Sequence, residues 1–346
     1  LIEVEFCYHE IINEGCRQEG RLLDRITDWW DYHKVDRLKL LIEIISEPEN
    51  TERLSIFSQG FLLHLRGLLG MFDFKYKYAE SVFLQSQSLY EGIEIKNPRY
   101  ITTLLRDISS NKKYVGNDYV EAVMFSKKAL QISKEKLGEN HLDTAISLNN
   151  LALRYQNQGR YKEAEPLYLQ ALQIRQKQLG KEHPKTASSL DNLATLYQMQ
   201  GRYKEAEPLC LQSLQIRQKQ LGEEHPDTAK SLNNLAALYQ NQERYREAEP
   251  FYLQALQIRQ KQLGKEHPDT AGLIHNLAVL YQKQGRYKEA EPLYSQALQM
   301  QQDQLGENHP YTANSLDNLA TLYQMQGRYK EAEPLYLQAL QIRQKQ

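Results

Sequence analysis

The chain has 346 residues, 41% of them hydrophobic and 25% charged, with eleven prolines and seventeen glycines. This is a soluble, ordered, helix-leaning composition and not a disordered one. A formal net charge of −1 supplies no global basic field, so neither nucleic acid nor an anionic membrane is an expected partner. Cys7, Cys16 and Cys210 have no CxxC spacing, which points to a reducing, cytoplasmic compartment and away from a disulfide framework.

In chain order, LIEVEFCYHE has early acids and no long apolar run, so it is not read as a signal peptide. Residues 1–56 read as an N-terminal helical segment with the apolar stripe Leu22, Leu23, Ile26, Trp29 and Trp30. Cys7 and Cys16 could meet there on neighbouring helices. The window FLLHLRGLLGMF is interrupted by His64 and Arg66 and is too short to span a bilayer. Residues 57–140 read as divergent copies of a pattern that becomes regular later. Within them 99–140 aligns without a gap through Tyr119, Glu121, Ala122, Ala129, Leu130 and Leu137-Gly138, while 57–98 keeps only Gly67, Tyr76, Ala79 and Phe83.

Residues 141–346 carry five units of 42 residues, beginning at His141, His183, His225, His267 and His309. Self-similarity at such a period marks an array. Leu190, Leu193, Ala194 and Tyr197 fall on one helical face, and Ala206, Leu209, Leu214 and Ile216 continue a helical pattern, so two helices per unit are expected. Pro184 suits the first turn of a helix, and Gly222 and its equivalents are expected as left-handed caps. Gly201, Gly285 and Gly327 close the tight turn between the helices; Glu243 stands there in the third unit, which predicts a turn either slightly strained or differently shaped. Pro208 falls early in the second helix and removes one backbone donor. One helix pair cannot bury both apolar faces, so neighbours must stack. Tyr197, Tyr203 and their counterparts then read as core spacers and not as a base-stacking platform.

Leu193, Ala194, Tyr197 and Ala206, with Ala164, Tyr168 and Ala171 in the first unit, resemble the signature of the tetratricopeptide repeat family. The 42-residue length and the pattern NNLA.LY..QG.Y.EAE.LY are similar to the kinesin-light-chain subclass, which is also widespread in bacteria. The resemblance implies an all-α, right-handed superhelical solenoid of antiparallel helix pairs. Its first helices would line a concave groove for a peptide or protein, giving a non-enzymatic interaction scaffold. LLDRITDWWDYHKVDRLKLL resembles the helical lead-in to the repeats of bacterial signalling ATPases of the STAND type, which implies a sensor arm as the alternative. No GxxxxGK[ST] loop occurs in these residues, so the ATPase itself is not expected here. A kinesin-light-chain-like cargo adaptor expects a long heptad segment that residues 1–56 lack. The start at Leu1 and the stop inside a repeat at Gln346 read as an excerpt of a longer protein.

The repeat histidines lie one per unit, a helix-packing distance of roughly 10 Å apart, too far for shared metal coordination; they read as caps. Glu205 and Glu207 face different ways on a helix and read as solvated partners of Lys204 or Arg202. No nucleophile–base arrangement, metal set or cofactor motif emerges. The remaining signal is a row: Asn150, Asn192, Asn234, Asn276 and Asn318 precede the Leu-Ala pair in every unit. Asn192 shares a helical face with Ser188, Thr195 and Met199, and an amide offers donors and an acceptor to an extended peptide backbone. The alternative is an amide that bonds the next repeat. Selectivity would come from variable neighbours: Ile146, Leu153 and Asn157; Lys230, Ala237 and Asn241; Gly272, Val279 and Lys283, with His275 on the same helix. Units two and five share SLDNLATLYQMQGRYKEAEPL letter for letter, which suits a repetitive or loosely specified partner. The last helix has no polar cap after it, which predicts exposed Leu335, Leu340 and Ile342 and end-to-end self-association.

Overall fold

A computed structural model describes residues 35–47, 54–93, 97–116, 118–264 and 267–344, together with Cys7, Ile11 and Ile26. Among the described residues there are fifteen helices and no strand. The chain divides into two compact units, 1–178 and 179–346. Cys16, Leu22, Leu23, Trp29 and Trp30 lie outside the described residues.

The second unit is the regular one. It contains α8 (Pro184–Met199), α9 (Tyr203–Leu221), α10 (Pro226–Asn241), α11 (Tyr245–Leu263), α12 (Pro268–Lys283), α13 (Tyr287–Leu305), α14 (Pro310–Met325) and α15 (Tyr329–Gln344). Consecutive helices pack as hairpins, and each second helix also packs on the next first helix. The first helices start where they do because three local devices coincide. His183 Nδ1 accepts the Lys185 N–H at 3.0 Å, Pro184 occupies N1 where no donor is needed, and Thr186 Oγ1 donates to the Gly180 carbonyl at 2.8 Å. His225 and His309 cap α10 and α14 in the same way, and Thr228 and Thr312 repeat the hydroxyl bond.

The glycine ahead of each first helix is not a left-handed cap. Gly222 has φ 93° and ψ 161°, a region only glycine occupies readily, and its extended ψ sends the chain outward toward the histidine. The left-handed position lies inside the unit, at Gly201 (φ 72°), and Glu243 is forced to φ 61° in the third. Leu190, Leu193, Ala194 and Ala206 are buried as their spacing requires, with both alanines at 0% exposure, so the helices approach at backbone distance. At the far end Ile342 is also buried, against expectation, because it faces back onto α14's hairpin; Leu340 is exposed and Leu335 half-buried.

The first unit contains α1 (Val35–Ser46), α2 (Ile56–Phe72), α3 (Tyr76–Glu91), α4 (Arg99–Lys112), α5 (Tyr119–Leu137), α6 (Leu142–Asn157) and all but the last residue of α7 (Tyr161–Leu179). Here several contacts have no counterpart elsewhere, while α6 keeps the histidine cap and the threonine bond of the regular repeats. A Cβ on Gly67 would sit 2.3 Å from the Phe83 ring, and one on Gly60 2.6 Å from Tyr90, so α2 and α3 touch through glycine. His64, buried on α2, meets Asp107 of α4 at 2.7 Å. Asp143, buried on α6, holds Arg99 at 2.9 Å. Among the described residues no helix is long and apolar enough to cross a membrane.

Candidate binding face of the first helices

Successive first helices of the second unit touch, α8 with α10 and α10 with α12, which aligns one asparagine per helix. Asn192 is exposed; Asn234, Asn276 and Asn318 are half-buried, as is Asn150 on α6. The amides of Asn150, Asn192 and Asn234 make no hydrogen bond with any described residue. Asn276 Nδ2 instead donates to Asn233 Oδ1 of the preceding repeat at 2.8 Å. Asn318 Nδ2 donates to the Asn314 carbonyl of its own helix at 2.8 Å. The row therefore divides: three open amides, one stitch between repeats, and one turned onto its own helix.

Around them Asn157, Lys230, Asn241 and Lys283 are exposed. Met199 and Met325 are half exposed on the same helices. His275 is half-buried with its ring edge-on to Tyr294, centroids 5.6 Å apart, and burial pushes its pKa below the usual histidine value. Among the described residues no group of three His, Cys, Asp or Glu side chains could hold a metal ion.

One column earlier lies a feature the sequence reading passed over. Asn149, Asp191, Asn233, His275 and Asp317 stand 26 residues before Arg175, Arg217, Arg259, Gln301 and Arg343. In the second repeat Arg217, 2% exposed, donates from Nη1 to Asp191 Oδ2 at 2.6 Å and to Ser231 Oγ of α10 at 2.5 Å, and from Nη2 to Ser188 Oγ at 3.1 Å. One guanidinium thereby ties α8, α9 and α10. The signal was present in the sequence: where Gln301 replaces the arginine, His275 replaces the acid or amide.

The turn edge is saturated by its own charges. Arg202, Arg244, Arg286 and Arg328 lie over Tyr197, Tyr239, Tyr281 and Tyr323 at 4.0 to 4.1 Å from the ring centroids, a cation–π arrangement. Each also pairs with the glutamate three residues on. Glu207 corrects the sequence reading: it meets Arg244 of the next repeat at 2.9 Å and not Arg202 or Lys204. Glu249 and Glu291 reach Arg286 and Arg328 likewise. Their carboxylates are spent on stacking.

The family model described as Tetratricopeptide repeat matches residues 100–172, 154–209, 190–261, 228–303 and 269–345. No curated protein matches the chain in sequence. Among solved structures, BtubC (BKLC) from P. vanneervenii is 25% identical with a TM-score of 0.55, over 66% of this chain and 92% of that one. A point variant of a kinesin light chain-like protein of nearly identical TPR-like repeats from Podosopora anserina is 30% identical with a TM-score of 0.50, over 61% and 98%. The Rap protein complexed with Competence and Sporulation Factor is similar in fold alone, at 14% identity and a TM-score of 0.68 over 99% and 87%.

Proposed function

The chain belongs to the tetratricopeptide repeat family, and we propose that it is a non-enzymatic, cytoplasmic interaction scaffold that holds an extended peptide or protein segment along its first helices. The observation that supports this reading is the pair of open amides at Asn192 and Asn234 on touching first helices of 179–346, which no described residue engages. An extended backbone presents a donor and an acceptor at each residue, and an amide can meet both at once. Grip of this kind tolerates many side chains. Lys230 and Lys283, exposed on α10 and α12, would then add preference for a segment bearing negative charge. The complex of the Rap protein with Competence and Sporulation Factor agrees with a partner on this fold.

A second reading has its own observation. The bond from Asn276 to Asn233 supports a stacking role for the row in the fourth repeat. The test is capture of partners from source-cell lysate, read by mass spectrometry, by the parent chain and by an N192A/N234A/N276A variant whose helicity circular dichroism has confirmed. Loss of a specific partner by the folded variant supports the binding face. Equal capture by both chains assigns the asparagines to stacking.

A further inference from the structure

The first 42-residue repeat departs from all four siblings at one buried position on α6, and at a second lacks the carboxylate that repeats two and five carry. Leu196, Leu238, Leu280 and Leu322, all at 0% exposure, occupy one core column; the first repeat has Arg154 there, 5% exposed. In the neighbouring column, where Asp191 and Asp317 neutralise an arginine, the first repeat has Asn149, buried with both amide atoms lacking a hydrogen-bond partner. Relative to repeat two, this one has gained a buried cation and lost a buried anion. The carboxylate of Asp143 does not answer the deficit. It is engaged by Arg99 at 2.9 Å with Arg106 at 3.9 Å, and eleven residues of helix separate it from Arg154, about 16 Å along the axis.

Arg154 makes no ion pair or hydrogen bond with a described residue, and its Nε is buried without an acceptor. Burial pulls its pKa down, and its nearest titratable neighbours are Tyr114 and Tyr168. Tyr168 already donates its hydroxyl to Gln156. Tyr114 is 47% exposed, so the guanidinium has a neighbour that opens to solvent. One helical turn before it, Asn150 offers its unbonded amide on the same face. A guanidinium fork of this kind matches a planar or tetrahedral oxyanion, and a buried polar group left unpaired in a native fold calls for a missing partner.

We infer that Arg154 and Asn150 form a binding site for an oxyanion, the carboxylate or phosphate group of a small ligand. The site uses residues of α6 and none of α8, α10 or α12, so Arg154→Leu leaves partner capture by those helices unchanged and the two readings fail independently.

The test is isothermal titration of the full chain with inorganic phosphate and, separately, with succinate, alongside Arg154→Leu, which installs the siblings' own residue, and Arg154→Gln. The parent is expected to bind at least one anion saturably, and both variants to bind it at least about tenfold more weakly, since a hydrogen bond to a charged group is lost. Arg154→Leu is also expected to melt higher than the parent without anion and to lose the part of the anion-induced rise that exceeds general salting-out. Binding of phosphate alone or succinate alone assigns the ligand's head group. Absence of saturable binding to either anion overturns the inference, as does equal binding by parent and a folded variant.

Discussion

The two halves of the chain bury helices by different means. In 179–346 the same side chains recur at every interface: the histidine cap, the threonine bond to a glycine carbonyl, the arginine over tyrosine. In 1–178 the last repeat keeps those devices at His141, Thr144 and Arg160, and the other contacts have no counterpart elsewhere: Gly67 against Phe83, His64 with Asp107, Asp143 with Arg99. A recurrent solution survives duplication because each copy brings both halves of its contacts. A single-use solution survives only where both partners stay put. The regular half can therefore drift on its exposed first-helix faces without losing the stack, which is where a binding surface has freedom to change.

The largest expected effect tests whether identical letters mean identical energetics. Arg217 and Arg343 sit in matching positions and both meet an aspartate, but Arg217 is 2% exposed and Arg343 47%. Arg217→Ala strands Asp191 in the interior and should cost about 3–5 kcal/mol. Arg343→Ala, at the solvated pair, should cost no more than ~1 kcal/mol. Urea denaturation with hydrogen exchange over α8–α10 reads both, and similar losses would sink the claim that stacking supplies the difference.

Next comes the contrast between glycines. Gly67→Ala drives a methyl into the Phe83 ring and should destabilise by about 1–3 kcal/mol through overpacking. Gly272→Ala on α12 meets nothing within 4 Å and should stabilise by up to ~1 kcal/mol through helix propensity. If both lower the melting temperature, the second unit is as tightly fitted as the first.

Much of this was legible beforehand, and the limits have physical causes. The 42-residue period gave the helix pairs, because Leu193, Ala194 and Tyr197 report one helical face whatever the tertiary context. The strain at Glu243 was legible because only a left-handed residue closes that turn; its φ is 61°. The partner of Glu207 was not. Its carboxylate lies within reach of several cations, and only the stacking geometry selects Arg244 over Arg202. The ψ of Gly222 was hidden for a similar reason, since glycine after a helix suits a left-handed cap and an extended exit alike. Arg154 was legible in principle, as one arginine in a column of leucines, but only once the units were aligned by depth as well as by period. Which amides of the row stay open required side-chain geometry.

Relieving the strained turn sharpens the same comparison within the second unit. Glu243→Gly restores the residue used at Gly201, Gly285 and Gly327 and should stabilise by about 1 kcal/mol. Gly201→Ala should cost a similar amount in the other direction. Thermal melts of the two variants check both signs, and a neutral Glu243→Gly would mean that the side chain makes a compensating contact.

The smallest effect concerns acid. His309 caps α14 by accepting the Tyr311 N–H at 3.1 Å through Nδ1, which requires that nitrogen to be unprotonated. Burial also holds the pKa of His309 below its ordinary value. The unfolded chain therefore takes up the proton first. The stability this group contributes is fully present above about pH 6.5, the unfolded histidine range, and is lost as the pH falls below it toward the folded pKa. His309→Asn caps the helix without titrating. It is expected to keep the stability at pH 8 and to flatten the decline between pH 7 and 5, measured by chemical denaturation across that range. An unchanged slope would place the acid sensitivity elsewhere in the array and leave His309 with a purely geometric role.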